Sequence, residues 1–142
     1  MPAEAFTAST QDEAALTALL SKYNDALNAS SVDQSLELYA EDGVFMPPYS
    51  PSAVGRAAVR EAYAKVFNTI TLNVKFTIAE IVQVSPTWAF VRTNSAGTNT
   101  VHANGRVSAE GNQELFVFRK EADGQWRIAR YSFSPTSPPA AP

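Results

Sequence analysis

The sequence has no cysteine and only one histidine in 142 residues. The absence of cysteine excludes a disulfide framework, thiolate-bound zinc, iron–sulfur clusters and a cysteine nucleophile. A single histidine excludes any site that needs two imidazoles from one chain. We therefore predict no cofactor and no metal ligands. The residue types left for acid–base chemistry in a pocket are carboxyls and tyrosines.

Charged residues are also scarce: they make up 18% of the chain, and the formal net charge is -3. Lys and Arg are scattered along the sequence, whereas a nucleic-acid or anionic-membrane partner requires them in clusters. The first residues have neither the basic start nor the apolar core of a secretory peptide, and no apolar run approaches the ~20 residues of a membrane helix. We expect no nucleic-acid partner, no membrane partner and a cytoplasmic location.

The first half of the chain carries apolar residues at helical spacing. A first helix is predicted over residues 11–28, behind a capping-box pattern that starts at Thr10. The same pattern starting at Ser31 predicts a second, shorter helix that ends near residue 42. A third helix is predicted to begin after Gly55.

From residue 71 apolar residues alternate with polar ones, which is typical of half-buried strands. A first strand is predicted to begin at residue 71, and three further strands are predicted over residues 87–101, 106–120 and 126–134. Three helices followed by an antiparallel meander indicate an α+β fold, in which the helices pack on a strongly bent antiparallel sheet. We predict one domain over residues 10–134, with a flexible segment at 1–9 and a Pro-rich flexible tail at 135–142.

The dipeptide Asn104-Gly105 is typical of a two-residue hairpin turn, and counting outward from it places Glu114 opposite Ser95. The residues predicted to share the face of Glu114 are Phe116, Phe118, Ala89, Val91, Thr93, Ser95, Tyr131 and Phe133. The residues predicted on the opposite face are Leu115, Val117, Trp126, Ile128 and Trp88. Because the helices can cover only one face, this second apolar face predicts a homodimer through the outer face of the sheet. A bulge would invert part of the assignment.

Three segments carry a resemblance to a known family: YNDALNASSVDQSLELYAEDGVFMPP, VGRAAVREAYAKVF and NQELFVFRKEADGQWRIARYSF. The chain resembles the nuclear transport factor two-like superfamily, which has a cystatin-like cone fold, and in particular its SnoaL-like and ketosteroid-isomerase-like branch. The resemblance covers residues 11–134 and implies a conical pocket between the helices and the concave sheet, usually in a dimer. The superfamily includes isomerases, cyclases, dehydratases, epoxide hydrolases, binding subunits and assembly domains, so the fold leaves the function open.

The resemblance to ketosteroid isomerase implies roles for three positions. In that enzyme a tyrosine of the first helix and a protonated aspartic acid of a strand form an oxyanion hole, and a separate carboxylate takes the substrate proton. The tyrosine position falls on Tyr23, the aspartic acid position on Glu114 and the base position on Pro47. Since proline has no proton-accepting side chain, the resemblance leaves the steroid-isomerase mechanism without its base.

Glu114 and Tyr23 are the candidate catalytic pair on chemical grounds as well. A carboxyl among aromatic rings loses hydration, which raises its pKa and favours the neutral acid. A neutral acid beside a phenol would supply two donors for a ligand carbonyl or enolate. The alternatives are that Glu114 pairs with a buried tyrosine or an arginine and only orders the pocket, and that Tyr23 is a core residue.

Other residues have less specific signals. The predicted ligand-binding residues, aromatic except for one methionine, are Tyr39, Met46, Tyr49, Tyr63, Phe67, Phe116, Phe118, Tyr131 and Phe133. His102 is a natural general base, but its predicted position is near the hairpin tip on the face opposite Glu114. The alternation of the first strand assigns Glu80 to the apolar face, so its side chain could reach the pocket. The acidic residues of segment 33–42 are predicted to face water rather than to bind a metal.

These observations predict a small-molecule pocket protein of the SnoaL-like type with a small apolar or aromatic ligand. An isomerase or cyclase would result if Tyr23 and Glu114 polarise a ligand carbonyl. The alternatives are a noncatalytic ligand-binding protein and a dimeric assembly domain. Whether the protein is an enzyme stays open, because the base position falls on Pro47.

Overall fold

The structure is a computed structural model, and it describes residues 6–137. The elements are α1 (Thr10–Asn28), α2 (Val32–Glu37), β1 (Tyr39–Met46), β2 (Ala53–Val54), α3 (Arg56–Thr69), β3 (Ile70–Gln83), β4 (Trp88–Val101), β5 (Val107–Lys120) and β6 (Trp126–Pro135). Parts of the two predicted flexible segments, residues 1–5 and 138–142, lie outside the described residues. The described start of the predicted tail pairs with the sheet, because the Thr136 amide donates to the Gly111 carbonyl at 2.8 Å.

The six strands form one sheet in the order β2-β1-β6-β5-β4-β3. The three-helix α+β fold is confirmed, but the sheet is mixed rather than purely antiparallel, because β1 runs parallel to β6. The second helix is shorter than predicted: it ends at Glu37, and the chain then enters the sheet. The Ile128 amide donates to the Leu38 carbonyl at 2.8 Å and so ties the start of β1 to β6.

Side-chain caps start the first two helices. The Ser9 hydroxyl accepts from the Asp12 amide at 3.2 Å, so the cap of α1 is Ser9 and the predicted cap at Thr10 was wrong by one residue. The Ser31 hydroxyl accepts from the Gln34 amide at 3.1 Å, which confirms the predicted start of α2. Each of these bonds satisfies one of the amides that a helix leaves free at its first turn.

The β4–β5 hairpin has a wider loop than the predicted two-residue turn. The Val101 amide donates to the Arg106 carbonyl at 2.9 Å, so residues 102–105 form the loop. The loop begins at His102, whose amide donates to the Thr69 carbonyl at 3.0 Å and so continues the pairing of β4 with β3.

This wider loop shifts the strand register by two residues. Glu114 lies opposite Thr93, and Ser95 lies opposite Asn112, so the predicted pairing of Glu114 with Ser95 was wrong. Because neighbouring side chains of a strand alternate, an even shift leaves every side chain on its predicted face. Glu114 therefore shares a face with both hydroxyl residues.

A bulge in the pairing of β5 and β6 changes the other predicted face. Val117 pairs with Arg130 and Phe118 pairs with Ile128, which leaves Ala129 without a partner residue. Ile128 and Trp126 therefore point into the core, where both are buried, and their predicted outer-face positions were wrong. A bulge inserts one residue and inverts the side-chain alternation beyond it.

Polar side chains attach α1 to the sheet at two places. Asn24 and Asn28 both donate to the Val74 carbonyl at 2.9 Å, and they accept from the amides of Phe76 and Val74. These bonds use backbone groups of β3 and hold its central part against the helix. Among the described residues, no helix is both long enough and apolar enough to cross a membrane.

At the other end of α1, Asp12 accepts hydrogen bonds from Gln83, Lys120 and Trp126 at 2.8–3.2 Å. Burial alone would raise the pKa of Asp12, but these hydrogen bonds and the Lys120 charge hold it below the ordinary value. The start of the helix is thereby joined to β3, β5 and β6.

Candidate functional site

A cavity of about 500 Å³ lies between the helices and the inner face of the sheet. Its wall combines residues of α1 and α3 with β1, β3, β4, β5 and β6 and with the proline-rich loop after β1. Most of the lining is apolar or aromatic. The polar lining of the sheet side comes from Ser95 and from three residues of β5: Glu110, Asn112 and Glu114.

Glu114 is a buried carboxyl, only 2% exposed, whose hydrogen-bond partners are hydroxyls. Thr93 Oγ1 donates to Glu114 Oε1 at 2.6 Å, and Ser95 Oγ donates to Oε2 at 2.5 Å. Within residues 6–137, Glu114 forms no salt bridge. Burial raises the pKa of Glu114, the two hydroxyls oppose that rise, and the negative charge of Glu110 adds to it. The net effect is a raised pKa, so the neutral acid, which can donate a hydrogen bond, persists to a higher pH than in an exposed glutamate.

Three buried tyrosines from α1, β1 and α3 form a chain of hydroxyls. The Tyr63 hydroxyl lies 2.6 Å from the Tyr23 hydroxyl and 2.6 Å from the Tyr39 hydroxyl. Burial raises the pKa of all three phenols. They are therefore neutral donors at any pH near 7.

The three tyrosine hydroxyls have more protons than the hydrogen bonds between them use. Three hydroxyls have three protons, whereas only two hydrogen bonds join them, so one proton has no acceptor within the chain. Tyr39 is 0% exposed and does not line the cavity, whereas Tyr23 and Tyr63 do. When Tyr39 donates to Tyr63 and Tyr63 donates to Tyr23, the remaining proton belongs to Tyr23. The Tyr131 hydroxyl is a further hydrogen-bond neighbour of Tyr23, and Tyr131 also lines the cavity.

The model of the SnoaL-like domain matches residues 20–131. The chain belongs to the SnoaL-like family. No curated protein matches it. Among solved structures, this SnoaL-like domain is similar to a ketosteroid isomerase-like protein from Erwinia carotovora atroseptica, with 39% identity and a TM-score of 0.88 over 92% of this chain and 100% of that one.

Two less similar structures show the fold alone. A conserved protein from Planctomyces limnophilus is 22% identical, with a TM-score of 0.78 over 89% of this chain and 99% of that chain. A domain of unknown function with a cystatin-like fold from Nostoc punctiforme is 17% identical, with a TM-score of 0.74 over 92% of this chain and 81% of that chain. They support the cystatin-like fold of this SnoaL-like domain.

The structure brings some of the predicted site residues to the cavity and leaves others away from it. The predicted residues that line it are Tyr23, Tyr63, Glu114, Tyr131 and Phe133. Those that pack in the hydrophobic core and are not part of the lining are Tyr39, Phe67, Phe116 and Phe118. Met46 is not part of the lining either, and Tyr49 is 95% exposed to solvent. The position of Tyr49 therefore gives no support to its predicted ligand contact.

Pro47 lines the cavity, at the position where the resemblance places a proton acceptor. Two polar lining residues, Glu110 and Asn112, were not among the predicted site residues. The sequence did contain a signal for them, because positions 110, 112 and 114 alternate along one strand and must share a face.

Two further candidates lie away from the cavity lining. The His102 ring contacts the Asn68 carbonyl at 2.9 Å and the Thr71 hydroxyl at 2.7 Å, so it joins the hairpin loop to the end of α3. Glu80 pairs with Arg92 at 3.1 Å, and a register irregularity before Glu80 turns it away from the cavity face. Neither residue reaches the cavity.

The acidic segment 33–42 contributes to surface ion pairs. Asp33 pairs with Arg60 at 2.9 Å, and Asp42 pairs with Arg119 at 2.6 Å. Among the described residues, no group of three or more His, Asp or Glu side chains is placed to hold a metal ion. Surface pairs of this kind contribute little to stability and do not form a site.

Two other depressions on the described surface, of about 700 and 780 Å³, are more polar than the cavity. The second is lined by Asp42, Arg119, Asp123 and Arg127, whose charges already pair with one another. The cavity beside Glu114 is the better ligand site, because it combines an apolar wall with a few convergent polar groups.

Proposed function

We propose that this SnoaL-like domain binds a small, largely apolar carbonyl compound and polarises its oxygen with Glu114 and Tyr23. The observation that carries the proposal is a buried carboxyl whose hydrogen-bond partners in the described chain are two hydroxyls. A core that only needs filling gains nothing from a desolvated carboxyl, since burial of such a group is costly. The buried carboxyl of Glu114 has a function if it forms, together with Tyr23, a pair of hydrogen-bond donors for a ligand oxygen.

The chemistry follows from the protonation states. A neutral Glu114 and a neutral Tyr23 both donate, and two donors aimed at one oxygen stabilise the negative charge that develops on it. Aromatic walls exclude water and strengthen these hydrogen bonds. The 39% identical structure is of a ketosteroid isomerase-like protein, and an isomerase or cyclase reaction is the catalytic form of this proposal.

Noncatalytic binding is the second candidate, and Pro47 favours it. Proline at the cavity wall cannot accept a proton from a carbon next to the polarised carbonyl. The site residues therefore support binding and polarisation of the carbonyl. Pro47 does not support proton transfer by the route of ketosteroid isomerase.

Acetophenone is a suitable probe, because it combines an aromatic ring with one carbonyl. NMR titration of the full chain from pH 5 to pH 9 should show shifts at Tyr131 and Phe133, two residues of the cavity lining. Affinity should fall as the pH rises through the raised pKa of Glu114, because the anion cannot donate to the carbonyl. In the Glu114→Gln variant, the amide donates at every pH, and this pH dependence should disappear.

Glu80→Gln is the matched control, since it removes an exposed carboxyl that pairs with Arg92 outside the cavity. This control should keep the wild-type pH profile. If Glu114→Gln keeps that profile as well, Glu114 is not the titrating donor. If acetophenone shifts no cavity residue, the proposed function is wrong.

We also propose a homodimer through the outer face of the sheet. Val82, Phe90 and Val117 form a row across β3, β4 and β5 on the face away from Glu114. Leu115 on the same face is 45% exposed. An apolar face of this kind is buried when two copies of a chain associate symmetrically. A cytoplasmic location is likewise proposed from the sequence alone.

A further inference from the structure

The cavity wall carries a second polar group beyond Glu114. Glu110 and Asn112 lie on the same face of β5 as Glu114, because the pairing of β5 with β4 contains no bulge over these positions. Same-face residues of a strand are roughly 6–7 Å apart, so Asn112 lies one such step from Glu114 and Glu110 lies two. All three residues line the cavity.

The polar atoms of this second group that have unused hydrogen-bonding capacity are acceptors. Glu110 accepts from Asn99 Nδ2 at 3.1 Å and from Asn112 Nδ2 at 2.7 Å, one bond at each carboxylate oxygen. Because a carboxylate accepts and does not donate, the bond from Nδ2 sets the orientation of the Asn112 amide. Asn112 Oδ1 is then left buried without a hydrogen-bond partner in the described chain, and the residue is 8% exposed.

An unpartnered buried carbonyl oxygen beside a carboxylate is costly unless a donor reaches it. A ligand group that can only accept hydrogen bonds, such as an ether oxygen or a carboxylate, would be repelled there, whereas a hydroxyl can donate. Lys65 also lines the cavity, but it lies on the exposed side of α3 and forms no salt bridge with Glu110 in residues 6–137. The complementary ligand group is therefore a donor.

We propose that Glu110 and Asn112 form an acceptor subsite that selects a ligand with a hydroxyl group at the end opposite its carbonyl. This inference rests on the proposed function, because Glu114 and Tyr23 define the carbonyl end. The ligand class is a hydroxyaryl or similar hydroxylated ketone or aldehyde. Asn112 contacts the hydroxyl, and Glu110 is a positioning residue that holds the Asn112 amide in place.

Three probes separate the carbonyl end from the hydroxyl end: acetophenone, 4-hydroxyacetophenone and 4-methoxyacetophenone. They are titrated into the full chain at a pH below the ionisation of the phenol. The hydroxyl compound should bind about tenfold more tightly than acetophenone, as expected for one hydrogen bond to an unpaired buried acceptor. The methoxy compound, which cannot donate, should bind no more tightly than acetophenone.

Variants then assign the gain to these residues. Asn112→Leu and Glu110→Leu should both remove the hydroxyl preference, whereas Glu110→Gln should keep most of it, because its amide oxygen still accepts from Asn112. Gln113→Leu is the matched control, since Gln113 is an exposed neighbour on the outer face that contacts Ser134. It should leave the preference unchanged.

The outcomes distinguish this inference from the proposed function. Equal affinity for acetophenone and 4-hydroxyacetophenone overturns the inference and leaves the proposed function standing. A hydroxyl preference that survives in a folded Asn112→Leu variant also overturns it. If none of the three compounds reaches the cavity, both proposals are wrong. The affinities of the three probes for the wild-type chain test the acceptor subsite even if a variant fails to fold.

Discussion

The tyrosine chain makes a quantitative prediction about stability. Tyr63 is its centre and bonds to both Tyr23 and Tyr39, whereas each of the outer residues bonds to one hydroxyl of the chain. Tyr63→Phe removes both bonds and leaves the Tyr39 hydroxyl fully buried without a partner in the described chain. The Tyr23 hydroxyl keeps a second hydrogen-bond neighbour in Tyr131, so it is not left without a partner.

The magnitudes follow from these contacts. Tyr39→Phe loses one neutral hydrogen bond and should lower the free energy of unfolding by about 1 kcal/mol. Tyr63→Phe loses two such bonds and leaves one buried hydroxyl unpaired, so it should cost about 2–4 kcal/mol. In the double variant Tyr39→Phe/Tyr63→Phe, the unpaired hydroxyl is gone as well. The double variant should therefore be no less stable than Tyr63→Phe alone.

Urea unfolding followed by tryptophan fluorescence measures this double-mutant cycle, since buried Trp126 reports on the core. Tyr49→Phe is the matched control: it removes a fully hydrated hydroxyl and should change the free energy of unfolding by less than about 0.5 kcal/mol. The decisive quantity is the coupling between positions 39 and 63, expected at about 1–3 kcal/mol. If the two single effects add, the hydroxyl chain does not exist as described.

Two other predictions concern the α1 attachment and the outer face. The folded-state pKa of Asp12 lies below its ordinary value of 3.8; its stabilising effect is therefore complete above that value and is lost as the pH falls through the folded-state pKa. Asp12→Asn should cost about 1–3 kcal/mol near pH 7 and should weaken the pH dependence of urea midpoints below pH 4; an unchanged dependence would contradict the role of this carboxylate. Sedimentation should show a dimer at micromolar concentration that Leu115→Glu dissociates and that Val54→Glu, at an exposed site on β2, does not; a wild-type monomer would refute the proposed dimer.

Much of the fold was predictable because local patterns and the final contacts agree. The Ser31 cap, the helix behind Gly55 and the alternation of β5 each depend on residues close in sequence. Even the wrong hairpin register kept Glu114 on its correct face. The loop that changes the register begins at His102, and the contacts of this residue with the end of α3 are not visible from the hairpin sequence.

The rest of the site depends on contacts between distant elements, which a single sequence does not encode locally. Tyr39 falls at helical spacing after Leu36, yet it belongs to β1 because its ring packs against Tyr63 of α3. The bulge that moves Ile128 into the core has no marker in the β6 sequence. The partners of Glu114 were placed on its face by alternation, but their hydrogen bonds depend on the actual register of β4 and β5.

The arrangement of polar groups in the cavity restricts the reactions that the proposed function includes. Isomerisation of a ketone needs a base close to the carbon that loses its proton, and the position that the resemblance assigns to that base is Pro47. Glu110, the other carboxylate of the lining, is two same-face steps from Glu114, roughly 13 Å along the strand. Addition of a hydroxyl within one substrate molecule forms a C–O bond at the carbonyl carbon, breaks the O–H bond and leaves the proton on the carbonyl oxygen. Such a ring closure removes no proton from carbon. If this SnoaL-like domain catalyses a reaction, the cavity therefore favours a cyclisation over an isomerisation.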